Sequence, residues 1–473
     1  MLSVLTLVMY RVLVLPNGSR IQHVRLSRIS GLLILCSPLL AYPQVQVSIS
    51  NSINRDSDNI LITGFNMPWN AVQGNPLYPN SGIWDSTGQQ IEESIVEFLQ
   101  DGFYGATYRY PGGTVSNAFY WDETIGSNRN AQYVASWGSS VTPEFGFDEF
   151  MQFVETVNGR AMLTVNLTAS ASLAADWVEY ANSPADGSST NPNGGTDWAE
   201  VRAANGHSAP YNITLWELGN EMDWGSGSWT VTTYTDTCAS FMAAMSSVDP
   251  SIRFLAHART APWSDSAWDD WHQAVLTAVG DDLEGIAYHP YYDGYNVNTM
   301  QTYASAIWND SQGHSMPLKV YSTEHARWPS DLGDTSTWPK MTSIDGAISS
   351  ADYLLASFST EYSGMALWHA LGGTGPWQPF TGVKPDGTYD SSLREIRPLS
   401  YALKLFHGSM YGKEVLSTTV NSSNLSGYGG GYDVRAVGFS DPFSGDVTMG
   451  CVNRYTDPLT MTLTVPDLAQ GNQ

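Results

Sequence analysis

Cysteine is scarce in this chain of 473 residues, with Cys36, Cys238 and Cys451 the whole complement. Three thiols so far apart exclude a disulfide framework and a cysteine-based zinc cluster. Cationic side chains are few as well, 21 Lys and Arg against 46 Asp and Glu, for a formal charge of −25. That surplus disfavours nucleic acid and anionic membranes as partners, and its plainest consequence is solubility. The histidines show neither His-x-His nor His-Glu-x-x-His spacing, so a metal-dependent hydrolase is disfavoured and no metal or other cofactor is expected. No Walker-type lysine follows Gly112-Gly113, which argues against phosphate chemistry.

Residues Gly31 to Ala41 are apolar but too few to span a membrane as a mature helix. They follow a basic stretch, His23-Val-Arg25-Leu-Ser-Arg28, and the pair reads as a secretory signal cut near Ala41. The expectation is a secreted protein, extracellular or periplasmic, that has lost residues 1–41, including Cys36. Cys238 sits on the apolar face of an apparent helix, where a buried free thiol is expected.

Short β-branched and apolar runs alternate with helical patterns through the middle of the chain. Strand candidates are Ile60 to Phe65, Gly105 to Tyr110, Ala161 to Leu167, Ile213 to Gly219, Ile252 to His257, Gly285 to Tyr288, Leu318 to Ser322 and Gly364 to Trp368. Between them, Ile91, Ile95, Val96 and Leu99 share one helical face, and Phe147, Phe150, Met151 and Val154 another. Eight such strands with interposed helices predict an α/β fold, a (β/α)8 TIM barrel over residues 60–407. Period-two runs at both ends, from Val45 and again after Gly408, predict a small β-sandwich built from residues 42–59 and 408–473.

Two runs end in a carboxylate. Ile213-Thr-Leu-Trp-Glu-Leu-Gly-Asn220-Glu221 closes the fourth strand, and Leu318-Lys-Val-Tyr-Ser-Thr-Glu324 closes the seventh. Residues a hundred apart meet only through the fold, and the C-terminal ends of barrel strands bring them together. A pair of carboxyl groups about 5 Å apart is what retaining glycoside hydrolysis requires, one protonated to donate and one ionised to attack. Asn220 is placed to hydrogen-bond a sugar hydroxyl, and Arg109, ending the second strand, to hold a carboxylate ionised. Glu217 alternates within its strand and is expected to make a pair inside the barrel.

Within this frame the chain resembles the retaining glycoside hydrolases of clan A over most of residues 64–407. The segments Trp216-Glu-Leu-Gly-Asn-Glu-Met-Asp223 and Tyr108-Arg109-Tyr-Pro-Gly-Gly-Thr114, with the terminal strands, are similar to the α-L-arabinofuranosidases of glycoside hydrolase family 51. The resemblance implies Glu221 as acid/base and Glu324 as nucleophile. It also puts an aromatic hydroxyl or imidazole from His289-Pro-Tyr291-Tyr292 against the nucleophile, Tyr291 first and His289 second. His325 is expected to point away and support its strand. Trp368, closing the eighth strand, is the tryptophan singled out as a sugar platform, with Trp69, Trp224 and Trp377 as further flat faces. Asn66 stands where the family places a Glu, Thr114 where it places an Asn, and Glu324-His-Ala replaces its Glu-Trp-Asn. The machinery therefore transfers better than the sugar specificity.

The expected partner is a plant or algal polysaccharide or oligosaccharide. An exo-acting arabinofuranosidase-like enzyme is the first reading. An endo-acting glucanase, xylanase or agarase is the second, favoured by loop aromatics Trp224, Trp229, Trp263 and Trp377. A non-catalytic carbohydrate-binding protein is the third, and retention of both glutamates argues against it.

Overall fold

Side chains alternate across a β-strand, so eight short strands can line one barrel interior while their other faces take up helices. The computed structural model describes residues 7–11 and 44–465, apart from residues 73–81, 135–137, 189–193, 225–227, 261–265, 293–295, 315–316, 330, 332, 373–374, 381, 384–388, 391–395, 423–433 and 455–458. The barrel strands are β1 (Ile62–Asn66), β2 (Thr107–Tyr110), β3 (Arg160–Val165), β4 (Leu215–Leu218), β5 (Arg253–His257), β6 (Gly285–Ala287), β7 (Lys319–Arg327) and β8 (Ser363–Trp368). Each pairs in parallel with the next, and β8 pairs with β1, closing the ring.

These are the eight expected strands, with β7 longer than the sequence indicated. It continues through Glu324 to Arg327, where a two-residue strand, Tyr291–Tyr292, pairs beside it. The register between β7 and β8 slips between Ser322 and His325. A bulge of this kind re-aims a side chain without ending the strand, and Glu324 lies in it.

The interior changes character along the strands. Met162, Leu255, Ala287, Tyr321, Met365 and Leu367 form an apolar cluster, with Ile62 and Leu215 packed on it. Two residues further along the same inward rows stand Thr164, Glu217, His257, His289 and Thr323, all buried, joined by Arg109 from β2. The C-terminal end of the barrel is thus a buried polar layer resting on an apolar plug.

Strands from both ends form one curled six-stranded sheet in the order Leu7–Arg11, Val447–Asn453, Val434–Ser440, Glu414–Ser422, Gln44–Arg55, Thr460–Thr464. One face has its own core of Val45, Val47, Ile49, Leu416, Val434, Met449 and Cys451. The other face meets the barrel at the helices Ile344–Phe358 and Pro398–Met410: the Phe439 and Phe358 rings lie 5.4 Å apart, and a Cβ at Gly450 would overlap Met410 and Leu355. Helix Ile344–Phe358 is buried from Gly346 onward because Gly, Ala and Ser fill much of its surface. Its one buried charge, Asp352, is met by Arg435 Nε at 2.5 Å and Arg454 Nη2 at 2.7 Å from the terminal sheet.

Leu7–Arg11 falls inside the segment expected to be a leader, yet here it pairs antiparallel with Thr448–Val452. Residues 12–43, with the rest of that segment and Cys36, lie outside the described residues. Cys238 and Cys451 are both buried and free, and burial pushes each thiol up to about 12.

Candidate active site

Glu324 is the most heavily partnered carboxylate at the barrel mouth. Its Oε1 accepts from Asn66 Nδ2 at 2.9 Å and Arg109 Nη1 at 2.8 Å. Its Oε2 accepts from the Tyr291 hydroxyl at 2.7 Å and lies 3.3 Å from His369 Nδ1 and 4.0 Å from His289 Nδ1. Burial opposes the charge, but His289, His369 and Arg109 outweigh it and hold the carboxyl well below its ordinary range. A carboxylate so held is ionised and aimed.

Glu221 is treated differently. Its side chain is 17% exposed and its described hydrogen bond is to His289 Nδ1, 2.8 Å from Oε1. Its backbone is left-handed, φ 49°, two residues after Gly219 at φ 75°. Such a conformation costs a side-chain-bearing residue about 1–3 kcal/mol and persists only where neighbours enforce it. Asn117 supplies that enforcement, accepting from Asn220 N at 3.0 Å and donating to Asn220 O at 2.6 Å. At least one oxygen of Glu221 lies within 4.8 Å of an oxygen of Glu324.

Arg109 organises the floor. Its Nε donates to Glu217 Oε2, Nη1 to Glu324 Oε1 and to Asn66 Oδ1 at 3.1 Å, and Nη2 to Asn220 Oδ1 at 2.8 Å. Burial would weaken this cation, but Glu217 and Glu324 outweigh burial and keep it charged. Glu217 also accepts from Thr164 at 2.8 Å and Thr323 at 2.6 Å. His257 Nε2 stands 3.0 Å from Glu217 Oε1, outside hydrogen-bond alignment. Against the cost of burial, Arg109 and His257 hold Glu217 far below the ordinary carboxylate range.

Asn66, Arg109, Asn220, Glu221, His289, Tyr291 and Glu324 therefore converge. Trp368 does not. On β8 the inward row is Met365, Leu367 and then His369, so Trp368 points outward, 1% exposed, with its Nε1 donating to Trp377 O at 2.8 Å. This corrects the expected sugar platform, and the same alternation would have identified His369. The His369 ring lies 4.4 Å from that of Trp377, and its Nδ1 lies 2.5 Å from the Tyr291 hydroxyl. Trp69 is buried, whereas Trp224 is 66% exposed and Trp328, edge-on to Tyr291 at 5.5 Å, is 41% exposed. Trp263 lies outside the described residues. His325 is buried against Trp368 and Tyr353, and burial drives its imidazole down to about 3.

Sequence reasoning missed His369, Asn117, Thr323 and His257. It also missed Gly113, where a Cβ would overlap Glu324 Oε1. Two trios, Glu217 with His257 and His289 and Glu221 with His289 and Glu324, bring ligand-type atoms within 4.8 Å of one another, but a cation there would sit against Arg109. Arg109 already supplies a fixed cation to both Glu217 and Glu324.

A closed parallel barrel with one carboxylate just beyond β4 and another on β7 has the architecture of clan A glycoside hydrolases. Comparison with known proteins narrows that class. The model of the alpha-L-arabinofuranosidase 1 domain matches residues 101–298. An exo-alpha-(1→6)-L-arabinofuranosidase from Bifidobacterium longum is 31% identical over 45% of this chain and 40% of its own length. An intracellular exo-alpha-(1→5)-L-arabinofuranosidase from Streptomyces lividans is 30% identical over 46% of this chain and 32% of its own length. The chain thus spans well under half the length of these curated relatives. Among solved structures, AbfB, a family 51 alpha-L-arabinofuranosidase from B. longum, superimposes with TM-score 0.73 at 18% identity, covering 90% of this chain and 88% of that one. The alpha-L-arabinofuranosidase of Thermotoga maritima gives 0.71 at 18% identity, with the same coverage. These findings bear out the resemblance to clan A enzymes of family 51.

They also correct the expected address. The relatives from S. lividans and Bacillus subtilis, the latter 32% identical over 41% of this chain and 38% of its own length, are named intracellular, which overturns the secreted reading.

Proposed function

We propose that this protein is a retaining glycoside hydrolase that removes terminal α-L-arabinofuranosyl residues. The observation that carries the reading is that an oxygen of Glu221 lies within 4.8 Å of an oxygen of Glu324, the nearer of the two carboxylate spacings. Retaining enzymes hold their carboxyl groups about 5–5.5 Å apart, too close for a water to act between them as inversion requires. Glu324, already ionised, attacks the anomeric carbon while Glu221 gives its proton to the departing oxygen, forming a glycosyl ester on Glu324. Glu221 then takes a proton from the incoming water, which displaces Glu324. Asn220, held by Arg109 and Asn117, is placed to bond a hydroxyl beside the reacting carbon.

The exo reading and the arabinofuranosyl group rest on the names of the relatives, and the intracellular naming of those from S. lividans and B. subtilis favours short soluble oligosaccharides over a polymer. The test is product release from aryl α-L-arabinofuranoside, arabino-oligosaccharides, arabinan, arabinoxylan, β-glucan, xylan and agar, with Glu324→Ala as control. Free arabinose lost in the control supports the reading. Oligosaccharide products would replace it with an endo-enzyme, and binding without product would make the protein a carbohydrate-binding one.

A further inference from the structure

Beneath the two carboxylates assigned to the reaction lies a third, Glu217, which touches neither. It is fully buried in the polar layer, and the partners of its two oxygens differ. At Oε2 both neighbours are donors, Arg109 Nε and the Thr164 hydroxyl. At Oε1 the hydrogen-bonding neighbour is the Thr323 hydroxyl, 2.6 Å away, with His257 Nε2 alongside at 3.0 Å. An ionised carboxylate only accepts, so the single Thr323 proton must point at Glu217. The Thr323 oxygen is then left to accept from its other neighbour, His289 Nε2, at 2.9 Å. His289 must therefore carry a proton on Nε2, and its Nδ1 is the nitrogen free to change state. That nitrogen faces Glu221 Oε1 at 2.8 Å.

We propose that Glu217, acting through Thr323, is a positioning residue that fixes the tautomer of His289 and so lets the imidazole share a proton with Glu221. The exchange is one proton over one hydrogen bond: a Glu221 carboxyl donating to bare Nδ1 becomes a Glu221 carboxylate accepting from Nδ1–H of an imidazolium. Nε2–H stays on Thr323 throughout, and no other group gains or loses a proton. The catalytic meaning rests on the glycosidase reading above, in which Glu221 must be protonated for the first step and ionised for the second. The proton leaves with the departing group in the first step and is replaced from water in the second, and the imidazole keeps it beside Glu221 from then until the next first step.

The groups facing His289 come from every strand around it. They are Glu221 beyond β4, Glu217 on β4, Glu324 on β7, Arg109 on β2, and His257 on β5 with its ring edge-on at 4.9 Å. Burial disfavours the imidazolium, but Glu324 and Glu221 outweigh burial and raise His289 above the ordinary histidine value. The opposite tautomer would aim a fixed Nδ1–H at Glu221 and leave that carboxyl no basic nitrogen on which to place its proton.

Glu217→Gln makes the inference testable by nearly isosteric means. Arg109 and Thr164 demand an acceptor at the Oε2 position, so the amide oxygen goes there and the NH2 faces Thr323. The hydroxyl then turns round, donates to His289 Nε2, and moves the neutral-ring proton to Nδ1. The experiment is nitrogen NMR of the full-length protein labelled with 15N-histidine, the His289 signals assigned by their loss in His289→Gln. Wild type is expected to keep Nε2 protonated across its folded pH range with only Nδ1 titrating. Glu217→Gln should show the neutral Nδ1–H form and titrate at lower pH. Thr323→Val should lose the preference, and Thr323→Ser should recover it.

Wild type and Glu217→Gln giving the same tautomer and titration would overturn the proposal, as would a wild-type ring with bare Nε2. If Glu217→Gln does not fold, the Thr323→Val and Thr323→Ser pair decides alone. In an active enzyme, Glu217→Gln should lower kcat/KM about 10²-fold on substrates with poor leaving groups and much less on activated aryl glycosides. Equal losses on both would count against the relay. A wild type without glycosidase activity would sink the functional reading and leave the NMR result to stand or fall by itself.

Discussion

Among the described residues, two buried arginine–carboxylate clusters are of nearly opposite design. At the barrel mouth one arginine, Arg109, serves two carboxylates, Glu217 and Glu324. Between barrel and terminal sheet, one carboxylate, Asp352, is gripped by two arginines, Arg435 and Arg454. The first cluster continues as hydrogen bonds through Asn66, Asn220, Thr323 and His289 to a partly exposed Glu221. The second reaches Asn298 through Arg435 Nη2 at 2.9 Å and joins a helix to a sheet. Surplus negative charge beside titratable imidazoles lets protons move, whereas a carboxylate between two permanent cations can only hold. Similar parts thus make a reactive floor in one place and a fastener in the other.

Breaking each cluster separately should sharpen that contrast. The largest effect is expected for Glu324→Gln, which should cut kcat/KM by at least about 10⁴-fold, because the nucleophile acts as a unit with its acid. Its thermal midpoint, read by circular dichroism, should fall as well, because the folded site favours the ionised carboxylate. Arg109→Met should fail on both counts, since it strands Glu217 and Glu324: unpaired buried carboxylates cost about 3–5 kcal/mol, and activity should fall about 10³-fold. Urea titration and steady-state kinetics on the same preparation check this. Asp352→Asn should lose a comparable amount of stability, about 3–5 kcal/mol, while kcat/KM per folded molecule stays unchanged. A matching loss of activity would show that the fastener also shapes the site.

Part of the pH dependence of stability should belong to the site cluster, beside the acid-side loss from His325 and His407, whose buried imidazoles are held down to about 3 and about 4. Glu324 and Glu217 are depressed in the folded state, so their contribution is complete above the ordinary carboxylate value of about 4.3 and is lost as pH falls towards the folded values. His289 is raised, so its contribution is complete below about 6.5 and is lost as pH rises through its folded value. Urea midpoints measured from acid to alkaline pH should therefore fall at both ends, and Glu217→Gln should flatten the acid limb. The smallest effect is expected for Trp368→Phe. It trims an outward-facing ring, so stability should drop by about 1–3 kcal/mol with KM unchanged; a raised KM would restore Trp368 to the site.

Much of this was legible in the sequence because the physics behind it is local. Apolar and β-branched runs at barrel spacing located all eight strands, and a carboxylate at the end of such a run is conspicuous. What was lost depends on partners distant in the chain. Asp352, midway along a helix, reads like any surface charge until the terminal sheet brings two arginines onto it. The bulge that carries β7 past Glu324 leaves no mark in composition. An aromatic residue at a strand end draws the reading to Trp368, although period-two alternation from Met365 and Leu367 points inward at His369. Leu7–Arg11 looked like part of a leader because pairing with Thr448–Val452 spans almost the whole chain.

The central claim is that Glu324 forms a glycosyl ester which Glu221 helps to resolve. An aryl α-L-arabinofuranoside with a good leaving group needs little acid assistance to form that ester, but its hydrolysis still needs the base. Intact-mass analysis and peptide mapping of Glu221→Ala after mixing with this substrate should show one arabinosyl adduct accumulating on the peptide that carries Glu324. An adduct on a different carboxylate, or turnover by inversion with no adduct, would contradict the account.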